Sequence, residues 1–461
     1  MEKSDVMVRP SRPHSEEVIQ LSVMDQLMPR RHMSYLLCFR HTSTCSHSTT
    51  IQQLQTGLAT VLTEMPHFAG ELRQRSSPKK ELELFLDPYS HVLFRVVDAT
   101  NQLNYEDVVK SMHEKPLVAD DQLAVPAIDL QTDNGGVRAF AVQVTIVSGG
   151  LLLATSIHHA LADARATEVL FESWSKHTAK AATGRSDAIE ILPHEATARW
   201  RLSYGPQDVQ VDNFLELCGP KGTYKAAKIA DRVVAATWTI SPQGIQKLKD
   251  FVKSDVQLSS SDLVCALIAR HVYKARIQHE HASVPWPSSI LLYVTSDMRS
   301  RLEPPLAKNY QGNASVAVPV AVNLDTLLDE STPNALGTVA TQIKHAIDTF
   351  DTNSLRSRLS FYKTQPFYGS VVPNFEYYPG PNMLLTDSSS MSFYSFSWGP
   401  VLQTTDYFKS VGLTHSVGQC ALNPKRRDGS IELQMRHDQQ VVEAMKSDKD
   451  FTCFFELVGY C

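Results

Sequence analysis

The chain has 461 residues, 43% of them hydrophobic and 20% charged, with a formal net charge of -5. That composition is ordinary for a globular protein, and the length exceeds the roughly 250–300 residues at which single cores stop growing, so two domains are expected. The acidic balance excludes a nucleic-acid surface, and the seven cysteines, odd in number and without paired spacing, exclude a disulfide framework.

From the N-terminus, Val8 to Pro13 is extended by its prolines, and Val18 to Ser22 leads into Val23-Met24-Asp25. No apolar run reaches signal-peptide or membrane-spanning length, which points to a cytoplasmic protein without a membrane partner, expected to be a monomer. Tyr35 to Phe39 reads as a buried strand. A helix follows in which Ile51, Leu54, Leu58, Val61 and Leu62 share one face, with Thr49 and Thr50 as capping candidates and Pro66 as the stop. Arg138 to Val147 alternates as a strand, and Ser148-Gly149-Gly150 turns it into a second apolar run, Leu151 to Ala154, suited to burial on both faces.

That run ends in Ser156-Ile157-His158-His159-Ala160-Leu161-Ala162-Asp163. Behind it, Ala166, Val169, Leu170 and Trp174 recur at helical spacing. Strand, tight turn and helix thus place two histidines at a rigid junction. A neutral imidazole held out of bulk water can take a proton from an alcohol or amine near pH 7. A buried histidine that only satisfies carbonyls is the alternative. A metal pair of His159 and Asp163 ranks below both, because no further Cys, His or Glu ligands cluster nearby, so no metal is expected.

The pattern fades between Thr197 and Ala230, so a crossover at 196–230 divides a first domain, 1–195, from a second, 231–461. Val233 to Ile240 reads as a strand, Pro242 starts a helix, and Ser259 to Asp262 forms a capping box before a helix that is apolar nearly all round. Asp297, Arg299 and Arg301 form either a solvated loop or a source of charge for Asp163, a carboxylate that is costly to bury alone. Arg299 is the first choice for that partner and Arg301 the second. Ala421 to Leu433 is a hairpin with Asp428-Gly429 as its turn, and a helix from Val441 towards Phe451 closes the chain.

His159 with Asp163 resembles the His-x-x-x-Asp motif of the BAHD acyl-CoA-dependent acyltransferases, shared with chloramphenicol acetyltransferase and peptide-synthetase condensation domains. Leu21-Ser22 with Asp25 is similar to the family's Leu-Ser-x-x-Asp turn, and Pro66 to Leu72 to its Pro-Leu-Ala-Gly-Arg-Leu stretch, with Glu71 in place of arginine. Ser259 to Leu267 resembles its Ser-x-x-Asp-Ala-Leu segment. The most specific likeness is Asp297 to Leu306, against Asp-x-Arg-x-Arg-Leu-x-Pro-Pro-Leu, followed by Tyr310-Gln311-Gly312-Asn313. Ser395-Phe396-Ser397-Trp398-Gly399 stands where the family has Asp-Phe-Gly-Trp-Gly, with serine replacing aspartate and the first glycine.

The resemblance runs from Val8 to Phe451. It implies an α/β fold of two chloramphenicol acetyltransferase-like domains with a solvent channel between them, the segment at about 384–399 returning to the first domain. It implies an O-acyltransferase of the fungal branch that includes trichothecene acetyltransferases. Such an enzyme moves an acyl group, expected to be acetyl, from acyl-CoA to a hydroxylated secondary metabolite, with no bound cofactor. His159 is then the general base in a ternary complex, with Asp163 beside it. Trp398, Thr386, Ser259 and Ser260 are candidates for the oxyanion or donor site. Neither Gly-x-Ser-x-Gly nor a Cys/His pair appears, which disfavours an acyl-enzyme. A carrier-protein-dependent condensation enzyme, an N-acyltransferase and a non-catalytic binding protein of the same fold are the alternatives.

Overall fold

A computed structural model describes the chain except residues 1, 42–45, 115–122, 124–125, 127–128, 133–134, 186–188, 190–191, 207–213, 215–231, 280–284, 366–377, 379, 412–416 and 461. Among the described residues, one six-stranded sheet runs in the order Glu2–Val8, Val92–Asp98, Phe140–Val147, Gly150–His158, His32–Arg40, Tyr407–Val411. A seven-stranded sheet runs Ser315–Asn323, Ser289–Asp297, Met383–Asp387, Gln419–Leu422, Ile431–Asp438, Val233–Ile240, Phe455–Tyr460. A smaller four-stranded sheet flanks the first.

Phe140–Val147 and Gly150–His158 are buried at every residue. They are central strands covered on both faces, which is why the alternation expected for the first does not appear as alternating exposure. Their turn uses Gly149 at φ 85, and a Cβ on Gly150 would fall 2.0 Å from the Tyr105 ring, so the Gly-Gly pair is sterically required. The His47–Glu64 helix lies against the Ala164–Ala182 helix. Gly57 permits that approach, since a Cβ there would lie 2.5 Å from Thr178 Oγ1, and Trp174 Nε1 donates to the Leu54 carbonyl at 2.9 Å. Leu54, Leu58, Val61 and Leu62 are fully buried, each stabilising by about 1.5–3 kcal/mol. The cap is Ser46, which accepts from the Thr49 N–H, rather than Thr49 or Thr50.

The second sheet has two unlike faces because strand side chains alternate. Leu385, Cys420, Met435 and Ala236, aligned across four strands, pack into the core with the Ser260–His279 helix. Their neighbours Thr386, Ala421, Gln434 and Thr237 form the opposite row. This row faces the first half of the molecule: Lys409, on the edge strand of the first sheet, places Nζ 3.4 Å from Thr237 Oγ1.

Two expectations need correction. Met383–Asp387 belongs to the second sheet, so the chain crosses back only after it: Phe393, Tyr394, Phe396 and Trp398 enter the first core, and Tyr407–Val411 pairs with His32–Arg40. The chain does not end in a helix, because Phe455–Tyr460 returns as an edge strand on Val233–Ile240. Within the expected crossover, Arg199–Leu202 is a short 3-10 helix, while 207–213 and 215–231 lie outside the described residues. Among the described residues no helix is long and apolar enough to cross a membrane.

Candidate active site

The central strand ends at His158, whose ring shapes the turn. Its Nδ1 accepts the Ala160 N–H at 3.2 Å, and its carbonyl accepts the Leu161 N–H at 2.9 Å. An Nδ1 that accepts carries no proton. Burial, helped by His32, His159 and Arg30, depresses the His158 pKa to about 3. His158 is therefore a structural acceptor that burial holds in the neutral form near pH 7.

His159 is held by its main chain, the N–H donating to the Arg31 carbonyl at 2.9 Å and the carbonyl accepting from Asn313 Nδ2 at 2.9 Å. The residue keeps partial exposure, whereas Nδ1 is buried without a well-formed partner among the described residues. Burial lowers the ring's pKa below the ordinary imidazole value, against the raising pull of its own carbonyl and of Asp163. The ring is thus neutral at pH 7 and able to accept a proton.

Asp163 points away from bulk solvent into a cage. It is the N-cap of the Ala164–Ala182 helix, with Oδ1 accepting the Ala166 N–H at 2.9 Å. Arg299 grips it end-on, Nη1 to Oδ2 at 3.0 Å and Nη2 to Oδ1 at 2.9 Å. Oδ2 also accepts from Ala314 N at 2.8 Å and from Ser315 N and Oγ, each at 3.1 Å. Burial alone would raise its pKa, but Arg299 and these N–H donors outweigh it and hold the carboxyl below the usual range. Asp163 is a fixed anion that joins the two halves, since Arg299 follows the Ser289–Asp297 strand of the second sheet. Arg299 also donates to the Tyr310 and Gly312 carbonyls at 3.1 and 2.8 Å, fastening the Tyr-x-Gly-Asn stretch to the same point.

The remaining sequence candidates are placed elsewhere. Arg301 turns to the Ile347 carbonyl at 3.0 Å and Asp348 at 3.7 Å, so the second choice of partner for Asp163 is not used. Ser259 is committed to the capping box, donating to Asp262 Oδ2 at 2.7 Å and accepting the Asp262 N–H at 3.1 Å, and Ser260 opens the helix. Thr386 lies on the sheet face turned to the first half. Trp398 is a core residue, 1% exposed and edge-on to Trp174 at 5.5 Å. Gly399 beside it packs on Ala179, where a Cβ would be 3.1 Å from the Ala179 Cα. Trp174 and Ala179 sit far along the helix that Asp163 caps, about 16–24 Å away at 1.5 Å per residue, so the indole N–H is out of reach of chemistry at His159.

A second buried hub was not anticipated. Asp25, fully buried, accepts from Ser22 N and Oγ at 3.0 and 2.8 Å, from Arg199 Nη1 at 2.7 Å, and from Asn313 N and Nδ2, both at 2.9 Å. Arg199 Nη2 donates in turn to the Leu161 carbonyl at 2.9 Å and the Gln311 carbonyl at 2.6 Å. Asp25 and Asn313 sit in motifs visible in the sequence. Arg199 lies where periodicity fades and carried no signal beyond being a charge in an apolar neighbourhood. Among the described residues no group of three His, Cys, Asp or Glu could hold a metal ion.

Two α/β halves locked by a buried Asp–Arg pair beside an accessible histidine define the class of two-domain acyl-CoA-dependent acyltransferases. The chain belongs to the Transferase family, whose model matches residues 2–451, and the BAHD resemblance of the motifs is thereby upheld. It is 29% identical to acyltransferase easC of Emericella nidulans, over 99% of this chain and 98% of that protein. It is 27% identical to acyltransferase cm3D of Cordyceps militaris, over 96% and 97%. The crystal structure of F. graminearum TRI101 complexed with coenzyme A and T-2 mycotoxin superposes with a TM-score of 0.78 at 16% identity, covering 96% of this chain and all of the other.

Proposed function

We propose that this chain is an O-acyltransferase that moves an acyl group, acetyl as the first expectation, from an acyl-CoA to a hydroxyl of a hydroxylated secondary metabolite. The observation that carries the reading is His159: a neutral imidazole, sealed at Nδ1, partly exposed, and fixed at the meeting of the two halves by a turn in which every anchoring charge is already paired. Its Nε2 removes the acceptor proton as the oxygen attacks the thioester carbonyl. Collapse of the tetrahedral intermediate breaks the carbon–sulfur bond, and the imidazolium returns the proton to the thiolate. Both substrates bind together in a channel between the halves, with Asp163 and Arg299 as structure rather than proton carriers. With Trp398 set aside, a hydroxyl on the polar face of the second sheet, such as Thr386, is the remaining sequence candidate for the oxyanion donor. Coenzyme A in the structural relative supports the donor class. The reading includes a cytoplasmic monomer, in keeping with free buried Cys38, Cys265 and Cys420.

Incubating the protein with several acyl-CoAs and a panel of hydroxylated and amino metabolites, followed by mass spectrometry, tests this. Ester products with release of free CoA are expected. Amide products alone, or transfer only from a phosphopantetheinyl carrier protein, would replace the reading with one of its alternatives.

A further inference from the structure

We infer that Asn313 is a positioning residue for His159, setting which ring nitrogen carries the proton, with the Asp25–Arg199 pair as its foundation. The inference rests on His159 being the base. Asn313 is fully buried and spends both Nδ2 hydrogens, one on Asp25 Oδ1 and one on the His159 carbonyl, each at 2.9 Å. Its main-chain N–H is on Asp25 Oδ1 as well. The side chain therefore cannot swing without breaking bonds to a buried carboxylate, which costs more than breaking neutral ones.

The His159 carbonyl is consequently pinned from one side, and its second lone pair is left for the residue's own ring. Nδ1 is buried without a well-formed hydrogen bond among the described residues, and the acceptors that act on the ring are its own carbonyl and the Asn313 side chain, whose Oδ1 is likewise buried and unpaired there. A proton on Nδ1 is stabilised by that carbonyl. A proton on Nε2 would leave Nδ1 buried with no donor to face. Asn313 thus holds the ring in the Nδ1–H form, with the Nε2 lone pair free for the acceptor. Arg199 grips the Leu161 carbonyl from the same foundation, so the turn is fastened at two carbonyls by groups that meet at Asp25. The charged or titratable groups around the ring and carbonyl are His158, Arg31, Asp163, Asp25 and Arg199.

The test is the tautomer, read from ring nitrogen shifts in full-length protein labelled with 15N-histidine, with His159 assigned by its loss in His159→Gln. Wild type should show Nδ1 protonated and Nε2 bare. Asn313→Ala should give a mixture of tautomers. Its kcat for acetyl-CoA hydrolysis, followed by thiol release, should fall at least tenfold, towards the roughly 10²-fold that small misplacements cost, with KM unchanged. Asn313→Ser, with one donor instead of two, should fall between. A wild-type ring protonated at Nε2 overturns the proposal without any variant, and so does an Asn313→Ala protein whose tautomer matches wild type, whatever its kcat. If His159→Ala retains wild-type turnover, the base assignment fails, whereas the tautomer measurement still decides whether Asn313 controls the ring.

Discussion

Replacing Asp163 with asparagine should unfasten the two halves. The carboxylate accepts two bonds from Arg299, three from main-chain N–H groups and one from the Ser315 hydroxyl, with both partners of the ion pair under 5% exposed. An amide keeps one oxygen and turns an NH2 towards donors, so either Arg299 or the Ala314–Ser315 N–H groups face a donor. Stranding a buried guanidinium costs about 3–5 kcal/mol, and a weakened helix cap adds about 1 kcal/mol. Against a typical stability of about 5–15 kcal/mol this is a large fraction. The folded pKa of Asp163 is depressed, so its contribution is present above the unfolded carboxyl value and is lost as pH falls through the folded one. Urea unfolding of wild type and Asp163→Asn near pH 7 should show the midpoint drop, and the gap should narrow in acid. Activity should fall with stability. A variant with the wild-type midpoint and no activity would refute the anchoring role and point to direct participation.

His159→Ala should lower kcat by about 10²–10⁴ with little change in midpoint, whereas His158→Ala should mainly destabilise, because it removes the acceptor for the Ala160 N–H. The pH profile of kcat/KM should rise through an apparent pKa below that of free imidazole and stay flat above it, since burial depresses the His159 pKa; a midpoint above the free value counts against His159 as base. Trp398→Phe should cost stability through lost packing and leave kcat near wild type, and a selective loss of kcat would restore the oxyanion role. Ser395→Asp should shift stability by no more than about 0.5 kcal/mol, because Ser395 is exposed and its Oγ donates to the Ser392 carbonyl in a local turn. A collapse of turnover with an unchanged midpoint would show instead that position 395 handles substrate.

Local chemistry made much of the site legible. The apolar run, the tight turn and the helical stripe around His159 are faces of single elements, and periodicity reports such faces directly. The capping box at Ser259 was equally readable, because its partners are three residues apart. The Asp163–Arg299 pair could be named only because a buried carboxylate needs a cation and the motif spacing offered two. Arg199 and the Asp25 hub were missed for the complementary reason: Asp25 lies more than a hundred residues from both Arg199 and Asn313, and nothing in a pattern-poor crossover marks which charge will be buried. Trp398 misled because an aromatic residue within a motif carries no mark of whether it packs in a core, as this one does, or faces the reacting atoms. The returning segment was placed one strand too early, since an apolar strand and the aromatic cluster after it carry no mark of which sheet each joins.

The central claim, that His159 accepts the proton during direct transfer from acyl-CoA, is tested most directly on the first acceptor identified. The measurement is kcat/KM of wild type and His159→Ala across about pH 5–9, with intact-protein mass recorded during turnover. The account predicts a wild-type profile rising through a depressed histidine pKa, a variant slower by orders of magnitude without that titration, and no acylated protein at any time. Equal rates in the two proteins, or a covalent acyl-enzyme that forms and decays at the turnover rate, would contradict it.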